Sequence, residues 1–301
     1  MFNKSSLSVG VKGRLYGLSA QVLWGTGGIA IKLIDRALPG TLLVGLRHGI
    51  GAIVLGLRIA QGRKPVLKNL PWLHLFLIAA LAVIPDIILI EAVRSAGAIV
   101  AVMIIRLEIP LIVVFAHILL KEKVTKKVYI AAGLSFIGAC LISIKPGESL
   151  NLDNKFYYGV FLAFIGAIVW ALTGVYAKFL LNRQVDPLAL SFTRLGIGSI
   201  LMFILAITVL SNPLQTIINL ALADWALIIY LGIFLSGLAY LMFYKSMKLI
   251  DAHVASIFLS VSMAVLLVLG LAIGEQVSLI QWGGIALIAL SVYMVRSKEP
   301  G

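Results

Sequence analysis

The chain has 301 residues, of which 61% are hydrophobic and 12% charged, and its mean hydropathy is +1.08. This composition excludes a soluble domain, in which about a quarter of the residues are normally charged. The net charge of +13 comes from lysines and arginines in short links between apolar segments, which indicates membrane topology and no nucleic-acid partner. The composition therefore predicts a polytopic α-helical membrane protein.

Ten apolar segments, interrupted by charges, proline or asparagine, approach the length that crosses a bilayer core. The links between them are short, so consecutive helices are predicted to be antiparallel neighbours. In chain order we predict helices near residues 13–36, 41–60, 71–93, 98–120, 126–144, 156–181, 187–210, 224–247, 252–274 and 279–296.

The basic residues favour one side of the membrane. If the N-terminus is cytoplasmic, the inner links hold most lysines and arginines, and the positive-inside rule then places both termini in the cytoplasm. No A-x-A-like cleavage site follows the first segment, which we interpret as an uncleaved helix of the cytoplasmic (inner) membrane. The outer links hold only Arg36, Arg94, Lys145 and Lys155.

An internal repeat divides the chain. The segment RHGIGAI at residues 47–53 matches RLGIGSI at residues 194–200, and farther on a shift of 153 residues takes Trp72 to Trp225. The same shift takes Glu122 to Glu275. Repeats of this kind are expected in secondary transporters, with a substrate site between the halves near the bilayer midplane.

Five helices fit in each half, at residues 1–148 and 149–301. Because five is an odd number, the second half must enter the membrane from the opposite side. We therefore predict an all-α membrane protein with ten transmembrane helices arranged as two inverted five-helix repeats.

The resemblance to a known family rests on two segments of equal length. Residues 91–125 read EAVRSAGAIVAVMIIRLEIPLIVVFAHILLKEKVT and residues 244–278 read YKSMKLIDAHVASIFLSVSMAVLLVLGLAIGEQVS. In both segments the sequence resembles the EamA family of the drug/metabolite transporter superfamily. The resemblance implies a ten-helix transporter of small metabolites, often amino acids or related compounds. It departs at Pro110, which is Met263 in the second half, and at RLE, which becomes LSV.

Charged residues in the fourth helix need partners. On a continuous helix Arg106 and Glu108 lie about 200° apart, so they cannot neutralise each other well. Asp86 precedes the tip of the helix 3–4 hairpin by as many residues as Arg106 follows it. We therefore predict an Asp86–Arg106 ion pair, with a structural clamp as its simpler role.

Glu108 is the first candidate for substrate binding, because an intramembrane carboxyl is a functional hypothesis by default. It could instead carry a proton, or be neutralised by Arg47 from the second helix. Pro110 is expected to bend the helix at this depth. The repeat symmetry of Arg47 and Arg194 favours a shared structural or gating role.

Four aromatic residues complete the candidate site. Trp24 and Trp170 occupy corresponding positions in the two halves near mid-helix, where interfacial aromatic belts do not lie. They either pack against small residues or line the pathway and contact an ammonium group. Tyr240 and Tyr244, one helical turn apart, could add hydroxyls to the same cavity or pack at an interface.

The functional prediction is a secondary active transporter of small polar metabolites, with amino-acid export as the choice that the resemblance implies. Transport of organic cations, amines or lipophilic compounds is the alternative, followed by a channel or a receptor-like protein. No nucleotide-binding, hydrolytic or metal-ligand motif occurs in a suitable context, so we expect no enzyme activity, cofactor or metal. The expected partners are the bilayer and a small-molecule substrate, the protein being a monomer or homodimer. Coupling to protons stays open.

Overall fold

The computed structural model describes residues 8–34, 38–62, 67–144, 153–272, 274 and 277–295, and their regular structure is entirely helical. Eight of these helices are long and apolar enough to cross a membrane, and α1 and the shorter apolar α10 complete a set of ten within the described chain. The all-α membrane fold is thus confirmed. The helices are α1 Val9–Leu33, α2 Gly40–Ala60, α3 Trp72–Ala96, α4 Ala98–Ile105 with Glu108–Leu119, α5 Lys126–Ser143, α6 Asn154–Asn182, α7 Pro187–Val209, α8 Leu222–Leu249, α9 Ala252–Ala272 and α10 Leu279–Val295.

Local chemistry fixes several helix starts. Asp153 accepts a hydrogen bond from Phe156 N at 2.8 Å and caps α6, and Asp186 accepts one from Leu188 N at 2.7 Å and caps α7. Pro187 stands at the first position of α7, where its missing N–H costs nothing. A short helix that the sequence pattern did not predict, Pro213–Ile218, precedes α8. The predicted boundary at residues 148 and 149 lies outside the described residues, as do Arg36, Lys145 and Glu275.

The helices pack as two related sets of five. Across the halves, α2 packs on α7 and α5 packs on α10. The other main contacts also occur in related pairs, in which each helix is replaced by its counterpart five helices along the chain. The contact of α3 with α6 corresponds to that of α8 with α1. The contact of α2 with α8 likewise corresponds to that of α7 with α3, and the contact of α4 with α6 to that of α9 with α1. The contacts thus have the two-repeat arrangement that the sequence repeat predicts.

Helix α4 is broken where the sequence pattern predicts a continuous helix. Pro110 lacks the N–H that would bond to Arg106 O, and Ile109 N donates to that carbonyl instead, at 3.1 Å. Leu107 N likewise donates to Ile104 O at 3.0 Å, so the chain tightens into turns between the two parts of the helix. The expected bend at Pro110 is therefore a break centred on Arg106 and Leu107.

Helix α9 tightens at the equivalent place. Residues Phe258–Ser260 form a 3₁₀ turn, and a shift of 153 residues relates Arg106 and Leu107 to Leu259 and Ser260. No proline is present here. Instead, Ser135 Oγ of α5 lies 3.1 Å from Ile257 O and 2.7 Å from Ser260 Oγ, which satisfies polar groups at the turn. Both halves thus interrupt the same helix at the same level.

Glu122 joins the two halves at one end of the bundle. From the link between α4 and α5, its carboxylate accepts hydrogen bonds from Ala252 N at 2.9 Å and His253 N at 3.2 Å, the first amides of α9. His253 Nδ1 lies 2.6 Å from the same carboxylate. Lys121, with φ of 57°, turns the chain before Glu122, and Gly274 holds φ of 84° at the equivalent position. A residue of the first half therefore caps a helix of the second half.

Burial alone would raise the pKa of the Glu122 carboxyl, but the hydrogen bonds from His253 and from the amides of Ala252 and His253 outweigh burial and lower this pKa below its ordinary value. The preceding helix end is also capped from another element. Lys178 of α6 is buried and donates to Met247 O at 2.7 Å and Ile250 O at 2.8 Å. The α8–α9 link is thus held on both sides.

The contact between α5 and α10 depends on two facing glycines. A Cβ atom at Gly138 would lie 2.7 Å from Gly284 O, and one at Gly284 would lie 2.6 Å from Gly138 O. Real Cβ atoms do not approach carbonyl oxygens so closely. Gly133 and Gly283, on the same two helices, would meet nothing within 4 Å.

We expect Gly138→Ala to separate α5 from α10 and to lower the free energy of unfolding by roughly 1–3 kcal/mol, as overpacked sites do. Gly133→Ala is the matched control and should be neutral or slightly stabilising, because it gains the same helix propensity without a clash. Thermal unfolding of both variants in detergent measures the difference. Equal melting temperatures would contradict the close packing.

We expect Glu122→Gln to lower stability at pH 7 by about 1–2 kcal/mol, because the charged cap of α9 is lost. The folded-state pKa of Glu122 lies below its ordinary value of 4.5, so the carboxylate stabilises the fold at neutral pH and this contribution declines as the medium is acidified. The parent and the variant should therefore converge as the pH falls below about 4.5 in melting curves recorded across the acid range. Glu91→Gln, which removes a carboxylate at another position, is the control. If the stability difference between Glu122→Gln and the parent does not change with pH, the prediction is wrong.

Candidate functional site

A layer of polar and aromatic side chains lies inside the helix bundle, where α1, α2, α3, α7 and α8 meet. We call it the central polar layer. Its charged and imidazole groups come from α2, α3 and α7, and its aromatic rings come from α1 and α8. The members are Trp24, Arg47, His48, Asp86, Arg194, Tyr240 and Tyr244.

Asp86 of α3 faces Arg47 of α2. The carboxylate and guanidinium approach to 3.9 Å, close enough for charge attraction but too long for a hydrogen bond. Both side chains are largely removed from solvent, so the attraction is weakly screened. The predicted Asp86–Arg106 ion pair is therefore wrong. The prediction matched the membrane depths of two residues on adjacent helices. In the structure, however, the side chain of Asp86 points toward α2.

Arg194 of α7 lies against Tyr240 of α8. Its guanidinium carbon is 3.9 Å from the centre of the tyrosine ring, and its Nη2 donates to the Tyr240 hydroxyl at 3.3 Å. Asp86 lies within electrostatic range of both Arg194 and Arg47. Two cations and one anion therefore share this layer, which carries an excess of positive charge.

Aromatic rings form the wall of the central polar layer on the α1 and α8 side. Trp24 meets Tyr240 edge-on with ring centroids 5.1 Å apart, and Tyr240 and Tyr244 are 6.2 Å apart. The indole N–H of Trp24 donates to Leu235 O at 3.1 Å. Leu235 belongs to a π-helical stretch of α8, Leu231–Ala239, an irregularity that is frequent near functional sites. Trp24, Tyr240 and Tyr244 thus lie together.

Several buried atoms of this layer make no hydrogen bond to the described part of the chain. They belong to both signs of charge and to neutral groups, and burying such groups unpaired costs roughly 1–3 kcal/mol each. This concentration is typical of a binding site that a polar ligand completes. The atoms are Asp86 Oδ2, Arg194 Nε and Nη1, and both ring nitrogens of His48.

His48 was not predicted as a site residue. It has no metal-ligand spacing to the other histidines of the chain. The sequence does contain a signal for His48, because it directly follows Arg47 in the repeated segment RHGIGAI. Its ring lies 6.4 Å from that of Tyr240 in the structure.

Glu108 lies elsewhere and is paired with Arg106. Arg106 Nη1 donates to Glu108 Oε1 at 2.9 Å, a charged hydrogen bond of good length. The prediction that these two side chains point apart is wrong, because it assumed a continuous helix, whereas the break at Arg106 and Leu107 brings them together. The alternative in which Arg47 neutralises Glu108 is also wrong, since Arg47 faces Asp86.

Trp170 is separate from Trp24 despite the repeat correspondence. It packs in an apolar cluster around Ala92, Ala101, Ile105 and Ala163. The structure therefore divides the predicted residues into the central polar layer, the Arg106–Glu108 pair and this apolar cluster. Among the described residues, no group of three or more His, Cys, Asp or Glu side chains could hold a metal ion.

Known proteins resemble this chain along most of its length. An uncharacterized transporter of Archaeoglobus fulgidus is 27% identical over 281 residues, covering 92% of this chain and 95% of that protein. The uncharacterized transporter YoaV of Bacillus subtilis is 24% identical over 92% of this chain and 94% of its own length. The uncharacterized transporter YyaM of the same bacterium is 27% identical, over 60% of this chain and 58% of YyaM.

A solved crystal structure has the same fold. It matches 94% of this chain and 96% of its own, with a TM-score of 0.83 at 20% sequence identity. The model of the EamA-like transporter family matches this chain twice, over residues 11–144 and 157–297, once for each set of five helices. The chain therefore belongs to the EamA-like transporter family, and its general role is transport and not catalysis.

Proposed function

We propose that this protein is a secondary active transporter of small zwitterionic metabolites, namely amino acids or related compounds, and that the central polar layer binds them. One observation carries the proposal. Asp86 and Arg194 have opposite charges, are buried in one layer, and each retains polar atoms without a partner in the part of the chain that the structure describes. An amino acid offers an ammonium group to Asp86 and a carboxylate to Arg194.

The surroundings of these two groups support a substrate of moderate size. Trp24 and Tyr240 provide flat apolar surfaces beside the charges, and His48 adds ring nitrogens. Small-molecule sites combine such apolar walls with a few convergent polar groups. The excess of arginine over aspartate in the layer favours a substrate with a carboxylate over a simple amine.

Alternating access is the mechanism that the architecture supports. The central polar layer lies where α2 and α3 of one half meet α7 and α8 of the other, and α4 and α9 are interrupted at equivalent positions. Broken helices and repeated halves around a central site are recurrent features of secondary transporters. With inverted repeats, exchange of the two halves' conformations would open the site to one side and then the other.

The direction of transport and the location in the membrane complete the proposal. The basic links support cytoplasmic termini in the cytoplasmic membrane, and export follows from the family resemblance. Proton coupling through Glu108 is part of the proposal: a carboxyl paired with Arg106 inside the membrane can change its partner when it takes up a proton. Association as a monomer or homodimer is compatible with this scheme.

Counterflow in proteoliposomes tests the substrate class. With a panel of amino acids, amines and neutral metabolites, we expect saturable exchange of one zwitterionic class. Asp86→Asn and Arg194→Gln should each weaken the apparent affinity about 10- to 100-fold, because a charged hydrogen bond to the substrate is worth roughly 1.5–3 kcal/mol.

The control for loss of a carboxylate is Glu91→Gln. All variants must also be shown to be folded and monodisperse. Exchange of amines alone would redirect the proposal to an organic-cation transporter, and preference for neutral apolar compounds would redirect it to lipophilic substrates. Flux that does not saturate and shows no counterflow would identify a channel and overturn the proposal.

Glu108→Gln separates coupling from binding. The glutamine resembles a protonated glutamate, so we expect substrate counterflow to persist while uptake driven by a pH gradient is lost. Both fluxes can be measured in the same vesicles with and without an imposed gradient. Loss of counterflow in this variant would instead place Glu108 at the substrate, and normal gradient-driven uptake would remove it from coupling.

A further inference from the structure

A lateral groove opens on the outside of the bundle between α3, α4 and α6. Its cavity volume is about 460 Å³, and its walls are almost entirely apolar. Four of its lining leucines come from α3 and from the end of α4, while α6 supplies a fifth leucine, a valine and two aromatic rings. The lining residues are Leu77, Leu81, Leu119, Leu120, Leu172, Val175, Tyr176 and Phe179.

One end of the groove is polar and cationic. The Tyr176 hydroxyl lies 2.6 Å from His74 Nδ1, and the ring of Tyr176 stacks on that of Phe179 with centroids 6.0 Å apart. Arg183, which ends α6, places its guanidinium 4.3 Å from the centre of the Phe179 ring. Lys121 follows the lining residues at the end of α4 and is exposed. Both cations are therefore near the same mouth.

The length of the groove fits one leaflet of a bilayer. From Arg183 to Leu172 is eleven positions along α6, or about 16 Å at 1.5 Å per residue. Half of a hydrocarbon core is about 15 Å thick. The apolar part of the groove thus runs from the membrane surface, marked by Arg183, to about the midplane.

We propose that this groove binds an anionic phospholipid, with one acyl chain between α3, α4 and α6 and the phosphate at Arg183 and Lys121. A free anion would use the cations but would leave the apolar walls uncovered. A neutral apolar molecule would fill the walls but would gain nothing from the cationic mouth. An anionic lipid satisfies both features, and its charge is complementary to the mouth.

The proposal does not rest on the substrate of the central polar layer, because the two sites use different residues. With cytoplasmic termini, the mouth of the groove lies on the cytoplasmic side. Anionic lipids are enriched in that leaflet and attract basic residues close to the membrane surface. A bound lipid here would cover the apolar walls that α3, α4 and α6 present to the groove.

Lipid binding can be measured directly by native mass spectrometry of delipidated protein titrated with phosphatidylglycerol or with phosphatidylcholine of the same chains. We expect one phosphatidylglycerol to bind at least fivefold more tightly than phosphatidylcholine. Arg183→Gln should reduce that preference about fivefold, the equivalent of about 1 kcal/mol. Arg58→Gln, which removes another exposed cation on the same predicted side, should leave it unchanged.

A second variant tests the acyl chain. Leu172→Trp fills the groove and should reduce binding of both lipids, whereas Leu290→Trp, at an exposed position of α10, should not. The proposal is wrong if the parent binds the two lipids equally. It is also wrong if both Arg183→Gln and Leu172→Trp bind the lipids as the parent does. If Arg58→Gln weakens phosphatidylglycerol binding as much as Arg183→Gln does, the effect comes from general surface charge and the proposal is wrong.

Discussion

The absence of water in a bilayer core governs this structure, because every backbone N–H and C=O there must find a partner within the protein. Helices α4 and α9 both interrupt their regular hydrogen bonding, at positions 153 residues apart. Each interruption is tolerated because local bonds replace the missing ones. In α4 the amide of Ile109 takes the carbonyl that Pro110 leaves, and in α9 the hydroxyls of Ser135 and Ser260 lie beside the turn.

The same constraint explains the difference between the two charged regions. At the break in α4 the tightened backbone brings Arg106 and Glu108 within 2.9 Å, so this pair is satisfied locally. In the central polar layer, Arg47 and Asp86 remain 3.9 Å apart and several neighbouring polar atoms have no partner among the described residues. A satisfied pair stabilises a local conformation, whereas an incompletely satisfied cluster retains capacity to bind.

Repeat symmetry places the two arginines, and departure from symmetry gives them different surroundings. Arg47 faces α3 and Arg194 faces α8, which are equivalent neighbours in the two halves. At the position of Asp86, however, α8 has Ala239, followed by Tyr240. One arginine therefore meets a carboxylate and the other an aromatic ring. A symmetric pair would offer the same chemistry twice, but this arrangement can recognise two different ends of one molecule.

The sequence was sufficient for the helix number and the repeat, because the lengths of the apolar segments and the internal similarity determine these features. It was insufficient for the partners of Asp86 and Glu108. Those depend on which way a side chain turns and on a helix break that changes the angular relation of residues two positions apart. His48 was missed for a related reason: its place beside Arg47 can be read from the sequence, but its burial without a partner among the described residues is a property of the packed bundle.

The capped link between α8 and α9 limits where the proposed motion can occur. Lys178 holds the carbonyls at the end of α8, and Glu122 holds the first amides of α9, so two elements outside the second half's own hairpin fix its turn. The 3₁₀ turn at Phe258–Ser260 follows within two helical turns of that fixed point. We infer that α9 bends at this turn and not at its capped end. The bend would then move the rest of α9 against its neighbour α1. Trp24, a member of the central polar layer, lies on α1.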